Sequence, residues 1–160
     1  MPRNTSQFSH NCVSAAQNIG FNFVHDGVTY TQFKASSNGW LSLGAGATGN
    51  LATNNLATSS PGRPFLAPLW DDLSGAGGFL GAGAGTFRYV LSGSAPNRVL
   101  TAQWSGWKWD KNANLLFAVI DFQVKLYETT NVIEFVYSQG LLGSVSNTSG
   151  GASIGISGVG

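Results

Sequence analysis

The sequence predicts an all-β protein, an antiparallel β-sandwich of jelly-roll-like character with roughly eight to ten strands and two long Gly-rich loops. Three observations predict it. Short apolar-polar alternations recur roughly every 10–15 residues, with turn residues between them. No window carries a 3.6-residue apolar period. The helix-favouring residues Glu, Lys and Arg are scarce, since charged residues are 9% of the chain against about 25% in an average soluble domain.

The elements follow in order. Residues 1–18 are polar and weakly patterned, and read as an N-terminal arm or a first edge strand; residues 19–160 read as a single sandwich domain. Phe21–Val24 and Val28–Phe33 form a hairpin around His25-Asp26-Gly27, because Asp-Gly accepts the positive φ of a tight turn. Ser36-Ser37-Asn38-Gly39 is a second turn, before Trp40–Leu43. Gly44 to Gly62 is rich in Gly, Ala, Thr and Asn without a period, and reads as a long surface loop. In Arg63-Pro64-Phe65-Leu66-Ala67-Pro68-Leu69-Trp70, two prolines argue against a central strand and favour an edge or crossing segment. Gly75 to Gly85 is the second Gly-rich loop.

Thr86–Leu91 and Arg98–Trp104 are strands joined by the turn Ser92–Asn97, and Gly106 marks a bulge that re-aims Trp107 and Trp109. Across Phe117–Tyr127 the residues Ala118, Ile120, Phe122, Val124 and Leu126 fall on one face, with Asp121, Gln123 and Lys125 on the other. Glu128–Asn131 turns the chain into Val132–Tyr137, and Ala152–Ser157 is the last strand.

Composition restricts the partners. Eight Lys and Arg against seven Asp and Glu leave a net charge of +1, without the basic footprint of a nucleic-acid or anionic-membrane binder. Eighteen Ser, eleven Thr and thirteen Asn supply the polar surface instead. The single Cys12 allows no internal disulfide and no cysteine zinc site. His10 and His25 are the only histidines, and His25 lies in a hairpin turn, a poor setting for a Ser-His-Asp triad. Asp71-Asp72 is the only adjacent carboxylate pair, but strand neighbours point to opposite faces. Both read first as structural, and second as oxygen ligands of a Ca²⁺ site completed by loop carbonyls. No other cofactor is implied.

Five tryptophans sharpen the question. Trp40, Trp70 and Trp104 lie in alternating strands and read as core. Trp107 and Trp109, followed by Asp110 and Asn112, lie beyond the bulge in a polar setting. They are the candidate ligand site, with rings that stack on a sugar and short side chains that bond its hydroxyls. The alternative is that the two rings cap an open end of the sandwich.

Several segments in a fixed order resemble known families. They are Ile19-Gly20-Phe21-Asn22-Phe23, Ser36–Gly44, Arg63–Leu73, Asn97–Trp104, Phe122–Phe135 and Ala152–Ile156. Together they resemble a module of secreted Bacteroidota surface proteins associated with type 9 secretion. They are also similar to the nidogen-like (NIDO) extracellular domain, with Leu69 standing where that family's motif has an aromatic residue. The resemblance implies a secreted or cell-surface location, adhesion, and no catalytic residues to carry over. The expectation is therefore a non-catalytic adhesion module that binds an extracellular glycan or protein, without nucleic-acid binding or membrane insertion. The alternative is a structural subunit of a surface filament or sheath, self-associating through its edge strands and N-terminal arm.

Overall fold

The structure, a computed structural model, describes residues 4–6, 11–49, 51, 53–57, 62–75, 85–108, 119–138 and 151–159. Ten strands occur among them: β1 (Asn4–Ser6), β2 (Gln17–His25), β3 (Val28–Ala35), β4 (Leu41–Leu43), β5 (Phe65–Trp70), β6 (Thr86–Ser92), β7 (Val99–Lys108), β8 (Val119–Tyr127), β9 (Ile133–Ser138) and β10 (Ser153–Ile156). They form two antiparallel five-stranded sheets packed as a sandwich. The first has the order β10-β5-β4-β3-β2 and the second β1-β6-β7-β8-β9. Each sheet is a meander of consecutive strands, whereas a jelly roll passes between its sheets at successive strands. The terminal strands exchange sides: β1 joins β6 and β10 joins β5, so each terminus is fastened to the sheet remote from it in sequence.

Local chemistry accounts for the elements. Asp26 and Gly27 both take positive φ, 51° and 74°, and close β2 onto β3 with His25 opposite Val28, the turn whose twist matches a hairpin. At the next turn Gly39 has φ 75°, and a Cβ there would fall 1.9 Å from the Leu69 carbonyl oxygen. Only glycine lets β4 approach β5 so closely. Residues 11–14 are laced along the same turn. Ser14 N–H donates to Ala35 O, Ser37 N–H to Cys12 O, and Cys12 N–H to Ser37 Oγ.

The main core lies between the sheets. Phe23, Phe33, Leu41 and Leu66 of the first sheet meet Phe87, Leu100, Trp104, Phe122, Val124 and Leu126 of the second. Trp104 stacks on Phe122 at 5.1 Å, meets Phe87 edge-on at 4.8 Å, and donates its indole N–H to Ser36 O across the sandwich. The alternation read over β8 holds, with Phe122, Val124 and Leu126 buried and Gln123 and Lys125 on the outside.

Strand β5 departs from the sequence expectation. It is an interior strand, paired with both β10 and β4, and every one of its residues is buried. The prolines are accommodated locally. Pro64 precedes the strand, and Pro68 falls where the β10 register slips, with Pro68 and Leu69 opposite Ile154 alone, so no ladder N–H is required of it. The slip also sorts the side chains. Leu66 and Leu69 enter the main core, while Phe65, Ala67 and Trp70 form a second core with Trp40 and Ala47 on the outside of the first sheet.

Described residues of the expected surface loop cover that second core. Leu51 and Leu56 pack on it, and the Leu51 carbonyl accepts the indole N–H of both Trp40 (3.2 Å) and Trp70 (2.9 Å). Lys34 Nζ donates to Ala47 O at 2.7 Å, holding the start of the loop. At one end of the sandwich Arg98 ties three segments together. Its Nε donates to Glu128 Oε2 at 2.8 Å, its Nη2 to Glu128 Oε1, and its Nη1 to Gly20 O at 2.7 Å, with the guanidinium 5.7 Å from the Phe21 ring centroid.

Two consequences are measurable. Gly39→Ala loses about 3 kcal/mol or more of unfolding free energy, because its methyl group meets a carbonyl and its φ is strained; urea denaturation reads this directly. The Arg98 hydrogen bonds hold the Glu128 carboxyl below the ordinary 4.5. A carboxylate depressed by folding contributes stability that is present above its unfolded value and is lost as pH falls through the folded one. Glu128→Gln is therefore less stable than the native chain at neutral pH, and the gap narrows below about pH 4.5, as thermal melts across acid pH will show.

Candidate functional site

The bulge read at Gly106 is present, but its effect on Trp107 is opposite to the one expected. Trp104 stands opposite Phe122 and Trp107 opposite Ile120, so Ser105 and Gly106 together face Asp121 alone. One extra residue reverses the alternation, and Trp107 joins Trp104 on the inner face. Gly106 has φ 72° and donates its N–H to Asp121 Oδ1 at 2.6 Å, which fixes the bulge.

The Trp107 ring is fully buried in the main core. Its indole N–H donates to Thr86 O at 3.0 Å, and Gly75 and Gly85 lie against the ring, where added Cβ atoms would come within 3.0–3.1 Å of it. Gly85 N–H donates to Gly75 O at 2.6 Å, so the base of the second Gly-rich loop is closed over the indole. The proposed sugar platform is thereby corrected at Trp107: a ring covered on its faces cannot stack on a ligand. Trp109, Asp110 and Asn112 lie outside the described residues.

Asp71 and Asp72 follow β5. Asp71 N–H donates to Asn38 O, and Asp71 Oδ1 accepts the Asp72 N–H at 2.8 Å. Asp71 thus caps the strand end, and among the described residues no group of three or more His, Cys, Asp or Glu gathers as a metal site. The structural reading of Asp71 accounts for these contacts.

Two shallow depressions lie elsewhere, on the outer face of the second sheet. The register aligns its outward side chains in cross-strand rows. Arg88, Gln103, Gln123 and Val136 form one row, and Val90, Thr101, Lys125 and Glu134 form the next. A shallow depression of about 280 Å³ lies over Arg88, Thr101, Gln103 and Gln123. A second, of about 120 Å³, continues past Gln103 and Gln123 to Asp121 and Ser138. The two share the glutamine pair, whose amides each offer donors and an acceptor. On the outside of the first sheet, the part over β4 and β5 lies under the second aromatic core with Leu51 and Leu56, while Asn22, Val24 and Thr29 of β2 and β3 are exposed.

A family model described as NIDO related matches residues 3–160. The chain belongs to this NIDO-related family. No curated protein and no solved structure matches it.

In this NIDO-related domain the charges beside the depressions are largely paired. Lys125 Nζ lies 3.6 Å from Glu134 Oε2, which also accepts the Tyr127 hydroxyl at 2.5 Å. That hydrogen bond holds the Glu134 carboxyl low and raises the Tyr127 phenol. The face is therefore a nearly neutral array of amides and hydroxyls with one guanidinium, Arg88. The outward set Asp121, Gln123 and Lys125 was readable from the alternation of β8, but its alignment with Arg88 and Gln103 required the register.

Trp107→Ala removes a buried ring with its hydrogen bond, and should cost about 3–5 kcal/mol of stability. Chemical denaturation checks this; a variant of native stability would mean that the indole is not core.

Proposed function

We propose that this NIDO-related domain is a non-catalytic extracellular adhesion module that holds a neutral glycan against the outer face of its second sheet. The observation that carries the reading is the pair of joined depressions centred on Gln103 and Gln123. Planar amides beside hydroxyls and a guanidinium present donors and acceptors at close spacing, which is the complement of a sugar's hydroxyl groups. A protein partner would gain more from an apolar centre ringed by polar groups, and only Val90 and Val136 interrupt the polar rows.

A non-catalytic role is supported by how five of the seven carboxylates are used. Asp26 accepts the Val159 N–H, Asp71 the Asp72 N–H and Asp121 the Gly106 N–H, while Glu128 binds Arg98 and Glu134 binds Tyr127. Each is committed to holding the fold. A secreted or cell-surface location is supported by the family, whose domains are typically extracellular. The likeness of the ordered segments to secreted Bacteroidota modules supports export by that group's type 9 route.

The test is a glycan array with the native chain and with Gln103→Ala/Gln123→Ala. The native chain should bind a neutral oligosaccharide, and loss of two amides worth about 0.5–1.5 kcal/mol each should weaken it roughly tenfold. The melting temperature should be unchanged, because both side chains lie on the outer face. Binding unaffected by the double substitution removes this face as the site. Capture of protein ligands with no glycan bound overturns the glycan reading.

A further inference from the structure

Among the described residues four strands lie at sheet edges, β1 and β9 in the second sheet and β2 and β10 in the first. An edge strand presents unpaired backbone N–H and C=O groups, and proteins commonly guard it with charge, proline or a bulge. β1 has three residues, β2 is interrupted where its register slips between Asn18 and Phe23, and β9 carries Glu134. β10 is different. Ala152-Ser153-Ile154-Gly155-Ile156-Ser157 contains no charge and no proline, and Ile154 and Ile156 are 57% and 45% exposed.

The direction of these two side chains follows from the pairing. Ile156 stands opposite Leu66, which lies in the main core. A Cβ on Gly155 would instead meet Leu56, on the outside of the first sheet. The two isoleucines therefore face the gap between the sheets, at its open lateral margin. Tyr137, 48% exposed at the edge of the opposite sheet, reaches across this margin to donate its hydroxyl to Pro68 O at 2.6 Å. The margin thus carries the two isoleucines on one side and the Tyr137 ring on the other.

We propose that β10 pairs antiparallel with β10 of a second copy of this chain, joining the two first sheets into one continuous sheet across a two-fold axis. The argument for this occupant is self-complementarity. With the axis at Gly155, Ile154 of one copy lies opposite Ile156 of the other, and the four side chains form one apolar strip on the same face. No like charges are brought together, since the segment has none. The strand is also held ready. Ser157 exchanges hydrogen bonds with Phe65 through N–H and Oγ, its carbonyl bonds His25 Nε2, and Arg63 Nε donates to Gly158 O. A fixed edge loses little freedom on pairing.

Sedimentation velocity over a concentration series tests this with three forms of the full chain: native, Ile154→Lys/Ile156→Lys, and Ile154→Glu/Ile156→Glu. The native chain should show a monomer-dimer equilibrium, and each variant alone should remain monomeric. An equimolar mixture of the two variants should regain the dimer, because the register sets Lys against Glu at every paired position. Thermal melts at low concentration confirm that the variants keep the fold. A native chain that stays monomeric at every concentration, a dimer that survives in the Lys variant, or a mixture that does not associate overturns the proposal.

Discussion

The carbonyl oxygen of Leu51 accepts hydrogen bonds from two indoles, and the asymmetry of the molecule depends on that shared acceptor. Trp40 and Trp70 project from the outside of the first sheet, where an unmatched indole N–H under apolar cover would cost about 1–3 kcal/mol. One carbonyl has two lone pairs and satisfies both. The loop that carries Leu51 is thereby fixed over Phe65, Ala67 and the two rings, making a second core. β5, with this core on one face and the main core on the other, is buried throughout. The first sheet is thereby covered on its outside over β4 and β5. Asn22, Val24, Thr29 and Thr31 of β2 and β3 stay exposed, as does the outer face of the second sheet.

This constraint explains what could be read from the residues and what could not. Asp26-Gly27 and the alternation of β8 are local signals: a turn type that demands positive φ, and a strand with one wet face. Both are visible without tertiary information. The apolar run Phe65-Leu66-Ala67-Pro68-Leu69-Trp70 is equally local, and a continuous apolar run is the mark of a strand buried on both faces. Pro68 masked that mark, because a proline normally excludes an interior strand. The exclusion is lifted by the slip against β10, which depends on residues more than eighty positions away.

The bulge at Gly106 shows the same division. Its position was legible, since glycine in an otherwise regular strand commonly marks one. Its consequence was not, because the face on which Trp107 emerges depends on a phase counted from Trp104. The spacing Trp104-Ser105-Gly106-Trp107 puts both rings on one face only if one residue is extra. Gly75 and Gly85 complete the arrangement, since side chains there would crowd the ring. Glycines that read as a loose loop are, at its base, the walls of an indole pocket. The outer face of the second sheet was hidden for a different reason: Arg88, Gln103 and Gln123 are ordinary outward residues of separate strands, and only the register makes them a row.

The scarcity of charge acquires a physical meaning on that face. The described acids and bases near it are largely joined to one another or to the backbone, as Glu134 is to Tyr127 and Lys125, and Asp121 to Gly106. What stays outward is mostly amide and hydroxyl. Such groups keep their hydrogen-bonding character across the pH range in which carboxylates and imidazoles titrate, and salt does not screen them as it screens exposed ions. A surface built this way gives up the long-range steering that charge provides. In return, its contacts depend on shape and donor-acceptor pattern, and these are set by the rigid register of β6, β7 and β8 rather than by the ionic state of the medium.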